Sequence, residues 1–141
     1  MDNVESFARL DIEREIDTAR TNVLRRSRIL LHENTSAPAQ KMVIVLFHDS
    51  TVGLHRHPAT KSETYVCLMG ELEVEYEITE GETATVHLTP ITSSSPTELQ
   101  IVSHSGGAWH APRSISEYCV YLEIYDGPFN KDNDVEYRHP I

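Results

Sequence analysis

Apolar residues change their rhythm once the first two dozen positions have passed. Val4, Phe7, Ala8, Leu10, Ile12, Ile16 and Ala19 fall among charged neighbours, a spacing near 3.6 that predicts an imperfect amphipathic helix over residues 4–21. Short β-branched and apolar runs then take over at residues 29–32 and 41–48, separated by a proline-containing loop at 34–39. These runs predict the first strands, the second buried on both faces.

Residues 70–78 alternate glutamate with apolar side chains, through Glu71, Leu72, Glu73, Val74, Glu75, Tyr76, Glu77 and Ile78. Alternation with period two predicts a strand with one wet and one dry face, the glutamates forming the solvated one. Turn chemistry at 79–82 and resumed alternation at 83–88 make residues 70–88 a β-hairpin, with His87 on the outward parity. A loop is expected at 91–96, and further strands at 99–102, around Trp109 and at 118–125.

Many short strands after a single helix, with no βαβ alternation, predict an all-β antiparallel barrel or jelly roll. The helix and arm (1–25) brace or lid the outside, and residues 26–141 form the barrel, one domain overall. At 141 residues the chain is long enough to bury a core unaided.

Composition narrows the partners. A formal charge of -10, from 22 acidic and 12 basic side chains, repels phosphate backbones and anionic membranes, so no nucleic-acid or membrane partner is expected. The charged opening stretch carries no leader-like apolar run, which predicts a cytoplasmic protein. Cys67 and Cys119 stand in strand-like runs without a CxxC pair and read as core thiols.

Chemistry concentrates in residues 53–70. His55 and His57 are two apart and so share one face of a strand, close enough for both imidazoles to reach one ion. After a short loop Glu63 opens the next strand and can supply an oxygen donor from the same interior. Farther on, the glycine turn at 106–107 leads into a strand that places His110 opposite the first pair. A His-x-His pair alone is weak evidence in a chain with 8 histidines; the added glutamate and glycine spacing is what makes it specific.

The order His55-x-His57, Glu63, six residues, Gly70, then Gly107-x-x-His110 resembles the two motifs of the cupin family. Three positions depart from that pattern: Asp49 where a glycine is usual, five residues between His57 and Glu63, and Ser105 where proline is common. A narrower likeness, to WbuC-type cupin-fold metalloproteins found with polysaccharide biosynthesis genes, rests on several short stretches. They are Arg26-Ser27-Arg28, His32-Glu33-Asn34, Gln40-Lys41-Met42, His55-Arg56-His57-Pro58, Gly107-Ala108-Trp109-His110 and residues 123–129.

The resemblance implies a double-stranded β-helix holding one divalent transition metal ion (Fe, Mn, Ni, Co, Cu or Zn) on His55, His57, Glu63 and His110. Such a ligand set leaves open positions for water or substrate. The expected function is an enzyme acting on a small oxygen-rich molecule, such as a sugar or nucleotide-sugar undergoing isomerisation or epimerisation. An Fe(II)-dependent dioxygenase and a non-catalytic metal-dependent ligand-binding module are the alternatives. Tyr65 and Cys67 share the parity of Glu63 and should face the interior. Tyr65, His48 and Lys41 are candidate acids or bases, and Arg28 and Trp109 candidate substrate-binding residues at the rim or wall. The tail at 126–134 reads as a surface loop from its turn formers, whereas the family likeness would fold it back to the barrel mouth. A homodimer is expected.

Overall fold

The computed structural model describes residues 3–92 and 94–139; Ser93, in the predicted 91–96 loop, lies outside them. Helix α1 (Arg9–Thr21) starts later than the periodicity suggests. Its first turn is fixed by Asp11, whose carboxylate accepts from the Ala8 backbone N–H at 2.6 Å. Ten strands follow: β1 (Arg26–Leu30), β2 (Ala39–Phe47), β3 (His55–Arg56), β4 (Ser62–Met69), β5 (Leu72–Thr79), β6 (Glu82–Leu88), β7 (Ile101–Ser105), β8 (His110–Ser114), β9 (Tyr118–Asp126) and β10 (Glu136–Tyr137). A one-turn helix α2 (Lys131–Asp134) precedes β10.

The strands form two five-stranded antiparallel sheets, β1-β2-β9-β4-β7 and β10-β3-β8-β5-β6. The expected all-β architecture with an N-terminal helix is what the chain adopts. No helix among the described residues is long and apolar enough to cross a membrane.

Strand β2 shows why its run is apolar throughout. Val43, Val45 and Phe47 face outward and pack with Ile16, Ala19 and Val120 under α1. Leu46 faces inward and joins Tyr65, Cys67, Leu72, Val74, Leu88, Cys119 and Tyr121 in the barrel core. Helix α1 is therefore a brace on the first sheet, held by burial of its apolar face. Both cysteines are buried and free.

Register sorts the barrel interior by depth. Leu46 pairs with Cys119 at one end, and Ile44 with Tyr121 and Cys67 on the next rung. Met42, Glu123, Tyr65 and Val102 share the rung after that, and Gln40, Tyr125, Glu63 and His104 share the last. The inward face thus runs from apolar at one end to polar and ionisable at the other.

The glutamate face of β5 is less solvated than its alternation predicts. Glu73 is only 6% exposed, because Arg113 from β8 and His87 from β6 flank it in register and both hydrogen-bond its carboxylate. His87 itself is exposed, as expected.

Candidate metal centre

His55, His57, Glu63, His104 and His110 meet at the polar end of the barrel. His55 and His57 come from β3 and the residue after it, Glu63 from β4, His104 from β7 and His110 from β8. Register brings them together: His55 pairs with His110, and Glu63 with His104. Each of the triads His55/His57/His110 and Glu63/His104/His110 offers ligand atoms within 4.8 Å of one another, a little wider than the limit of about 4.2 Å for two ligands about 2.1 Å from a common ion.

Each imidazole is anchored by its other nitrogen. Nδ1 of His55 lies 2.8 Å from the Gly53 carbonyl, that of His57 2.7 Å from the Asp134 carbonyl, and that of His110 2.9 Å from the Ala108 carbonyl. A carbonyl can only accept, so these rings carry their proton on Nδ1 and turn Nε2 inward with a free lone pair, the arrangement metal-binding histidines use. The Nδ1 of His104 meets the Tyr76 hydroxyl at 2.9 Å, which can donate or accept. That contact leaves the His104 tautomer open.

Two features of this cluster fit a cation. His57 Nε2 and His104 Nε2 are buried without a hydrogen-bond partner; both stand beside Glu63, at 3.1 and 3.3 Å, without the alignment of a hydrogen bond. Orphaned buried nitrogens are rare and costly unless something else engages them. His110 meets an acceptor on both sides, with Ala108 O on Nδ1 and Glu63 Oε1 at 3.0 Å from Nε2. A neutral ring has one N–H and cannot serve both.

Electrostatics favour neutral His55 and His104 beside a charged Glu63, while His57 is pushed the other way. Burial, assisted by neighbouring His110, pulls His55 down to about 4. Burial likewise lowers His104. Burial also opposes charge on His57, but the adjacent Glu63 outweighs it and raises that ring. Burial would raise Glu63, yet the three surrounding imidazoles, His104, His110 and His57, hold it well below the usual carboxylate range.

Loop packing fixes the distances. Gly107 N–H donates to His57 O at 2.8 Å, and a Cβ at Gly106 would lie 1.6 Å from Pro58 O. Only glycine lets the turn before His110 close on the His57 loop. The tail folds back as well, with β10 pairing to β3 and Asp134 reaching His57. The Asp134 carboxylate accepts from Lys61 at 2.7 Å and from Tyr125 at 3.1 Å. Most of 126–134 is exposed as expected of a surface loop, but those contacts bury Asp134 to 4% exposure and bring the end of the segment back to the cluster.

A cavity of about 600 Å³ opens beside the cluster, and His55, His57, Glu63, Tyr65 and Arg28 are among its lining residues. Lys41 and His48 stand elsewhere. Both are exposed; Lys41 shares the outward parity of Val43 on β2, and His48 lies beyond the strand end, with Nδ1 3.2 Å from the Glu117 carbonyl. Trp109 does not line the cavity either, since its ring is stacked between Arg56 and Arg138, at 4.6 and 4.9 Å. His104 escapes the sequence reading because the predicted strand 99–102 ends two residues too early. Extending the inward parity of Val102 by one step reaches it.

Comparison with solved structures identifies the barrel. Protein SO0799 from Shewanella oneidensis superposes with a TM-score of 0.63 at 15% identity, over 82% of this chain and 79% of that one. KdgF from Halomonas sp. gives 0.52 at 15% identity, over 76% and 83%. Oxalate oxidase in complex with the substrate analogue glycolate gives 0.54 at 10% identity, over 72% of this chain and 46% of that one. These likenesses establish a cupin-type fold. No curated protein sequence matches the chain. Residues 7–87, more than half of the sequence, match the family described as Domain of unknown function (DUF6016). The chain therefore belongs to the DUF6016 family, carried on a cupin barrel whose polar end could hold a metal ion.

Proposed function

We propose that this protein is a metal-dependent enzyme acting on a small, oxygen-rich molecule. One observation carries the reading: carbonyl-anchored imidazoles crowd Glu63 in two triads that share His110, where two buried nitrogens lack partners. On this reading His55, His57, Glu63 and His110 hold one divalent transition ion, and His104 is a further donor within reach. Donors of mixed imidazole and carboxylate type suit Mn, Fe, Co, Ni, Cu or Zn. When bound, the ion would polarise a substrate oxygen.

The chain's own residues then orient and shelter the substrate. Tyr65 is 1% exposed at the rung behind Glu63, and burial and the nearby carboxylates hold its phenol well above the ordinary range. It stays protonated and can donate a hydrogen bond, so its role is that of a donor rather than a base. The neighbour solved with glycolate binds a molecule with two adjacent oxygens, the kind of ligand an open metal position accepts. The WbuC-type likeness adds sugars or nucleotide-sugars to the substrates worth trying, by association alone.

The test is elemental analysis of protein purified without added metal, followed by turnover of nucleotide-sugars and hydroxy acids by loaded wild type and His57→Ala. The reading expects a bound transition ion and a rate at least a hundredfold lower in the variant. Equal rates would remove the ion from the chemistry.

A further inference from the structure

Arg28 and Glu123 are the two charged-type side chains of the cavity wall that the fold leaves unengaged. Both line the cavity, and among the described residues neither makes a side-chain hydrogen bond or ion pair. Other polar residues of that wall are tied down: Arg26 donates to Thr51 O, and the Gln40 amide donates to Asn34 O and Ala37 O. Sheet register puts the free pair on a diagonal from the metal cluster. Glu63 sits on the last rung of β4, Glu123 one rung deeper on β9, and Arg28 one rung deeper again on β1. Rungs are roughly 6.5–7 Å apart and strands about 4.8 Å apart, so the backbones of Glu63 and Arg28 are about 20 Å apart along the sheet, a span that the curve of the barrel and the inward reach of both side chains shorten.

Arg28 is exposed where it lines the cavity and no carboxylate is paired with it, and the planar fork of a guanidinium fits a carboxylate or phosphate in two hydrogen bonds. Glu123 forms no ion pair with it, and burial and the nearby Glu63 push the Glu123 carboxyl up against the pull of Arg28; a carboxyl in either protonation state can hydrogen-bond a hydroxyl.

We propose that the cavity takes a small organic anion held at both ends, its carboxylate or phosphate on Arg28 and a pair of adjacent oxygens at the cluster of His55, His57, Glu63 and His110, with Glu123 hydrogen-bonding a hydroxyl between them. The inference rests on the metal-centre reading and names its substrate class.

Calorimetric titration of the metal-loaded protein tests it, with malate and glycerol 3-phosphate as anionic probes and erythritol as the uncharged one. Malate, glycerol 3-phosphate or both should bind at least tenfold tighter than erythritol, and the stronger of the two tells carboxylate from phosphate. Arg28→Met should weaken the anion at least tenfold and leave erythritol unchanged, and Arg28→Lys should recover only part of the loss because the fork is gone. Glu123→Leu should remove the preference for tartrate over malate, which lacks the second hydroxyl between the chelating pair and the far carboxylate. Lys41→Met, the same charge change on the outer face, should change nothing. Equal weakening in Arg28→Met and Lys41→Met, or no discrimination between anions and erythritol by wild type, would overturn the proposal. Elemental analysis of the same samples separates the two ideas: protein that never loads an ion fails the metal reading, and loaded protein without charge discrimination fails this one alone.

Discussion

At His55 a single ring ties acid sensitivity to the site. Its folded value of about 4 lies below the unfolded 6.5, so between those limits the unfolded chain binds the extra proton. Metal-free protein should therefore lose stability as pH falls from 6.5 toward 4, by on the order of 3 kcal/mol from this ring. Glu63, held low, adds a loss below its ordinary value of 4.5. His57, raised, acts in the opposite sense, contributing stability at acid pH that fades as pH rises through its folded value. Thermal melts across this range should show a shallower slope in His55→Asn than in wild type; parallel curves would contradict the assignment. His104→Ala should lower metal affinity about tenfold, and His57→Ala more, as competition with a chromophoric chelator would show. The four motif residues were legible because spacing and strand parity turn them into the barrel interior. His104 was not, since Ser103 and Ser105 beside it mask a strand that only pairing with β4 extends. Arg28 was legible as a wall residue. Lys41 and His48 misled, because a strand apolar on both faces gives no parity signal to separate inside from outside.

Elements impose their own constraints on the centre. Gly106→Ala would drive a Cβ into the Pro58 carbonyl, so the turn before His110 must move off the His57 loop. The expected outcome is destabilisation by about 1–3 kcal/mol together with weaker metal binding, read by denaturant titration and by the same chelator competition. Unchanged affinity would mean that the turn does not set the ligand spacing. Phe47→Ala should cost about 3–5 kcal/mol, since this fully buried ring packs against Tyr118 and beneath Arg20 and Arg25. The same melts should show metal affinity preserved, because the helix–sheet interface lies on the far side of the sheet from the ligands. Strand order in the hairpin could be read from period-two alternation, but the burial of Glu73 could not. It depends on Arg113 arriving from β8, a neighbour distant in sequence. The tail is similar, for its turn formers describe local chain reversal and say nothing of the Asp134 contacts that draw it to His57.

Across the whole molecule, apolar burial fills one end of the barrel and leaves the other to ionisable groups, so that polar end would gain most from a bound cation. Binding that favours only the folded state stabilises by about 2.7 kcal/mol at a hundredfold excess over Kd. A chelator should therefore lower Tm and a matching divalent ion restore it. The most direct measurement is the metal content of the purified protein by mass spectrometry, alongside a Glu63→Ala/His57→Ala double variant. The account predicts about one transition-metal ion per chain in wild type and loss of most of it in the variant. Wild type that binds no ion at any metal supply, or a variant that keeps the full complement, would contradict it.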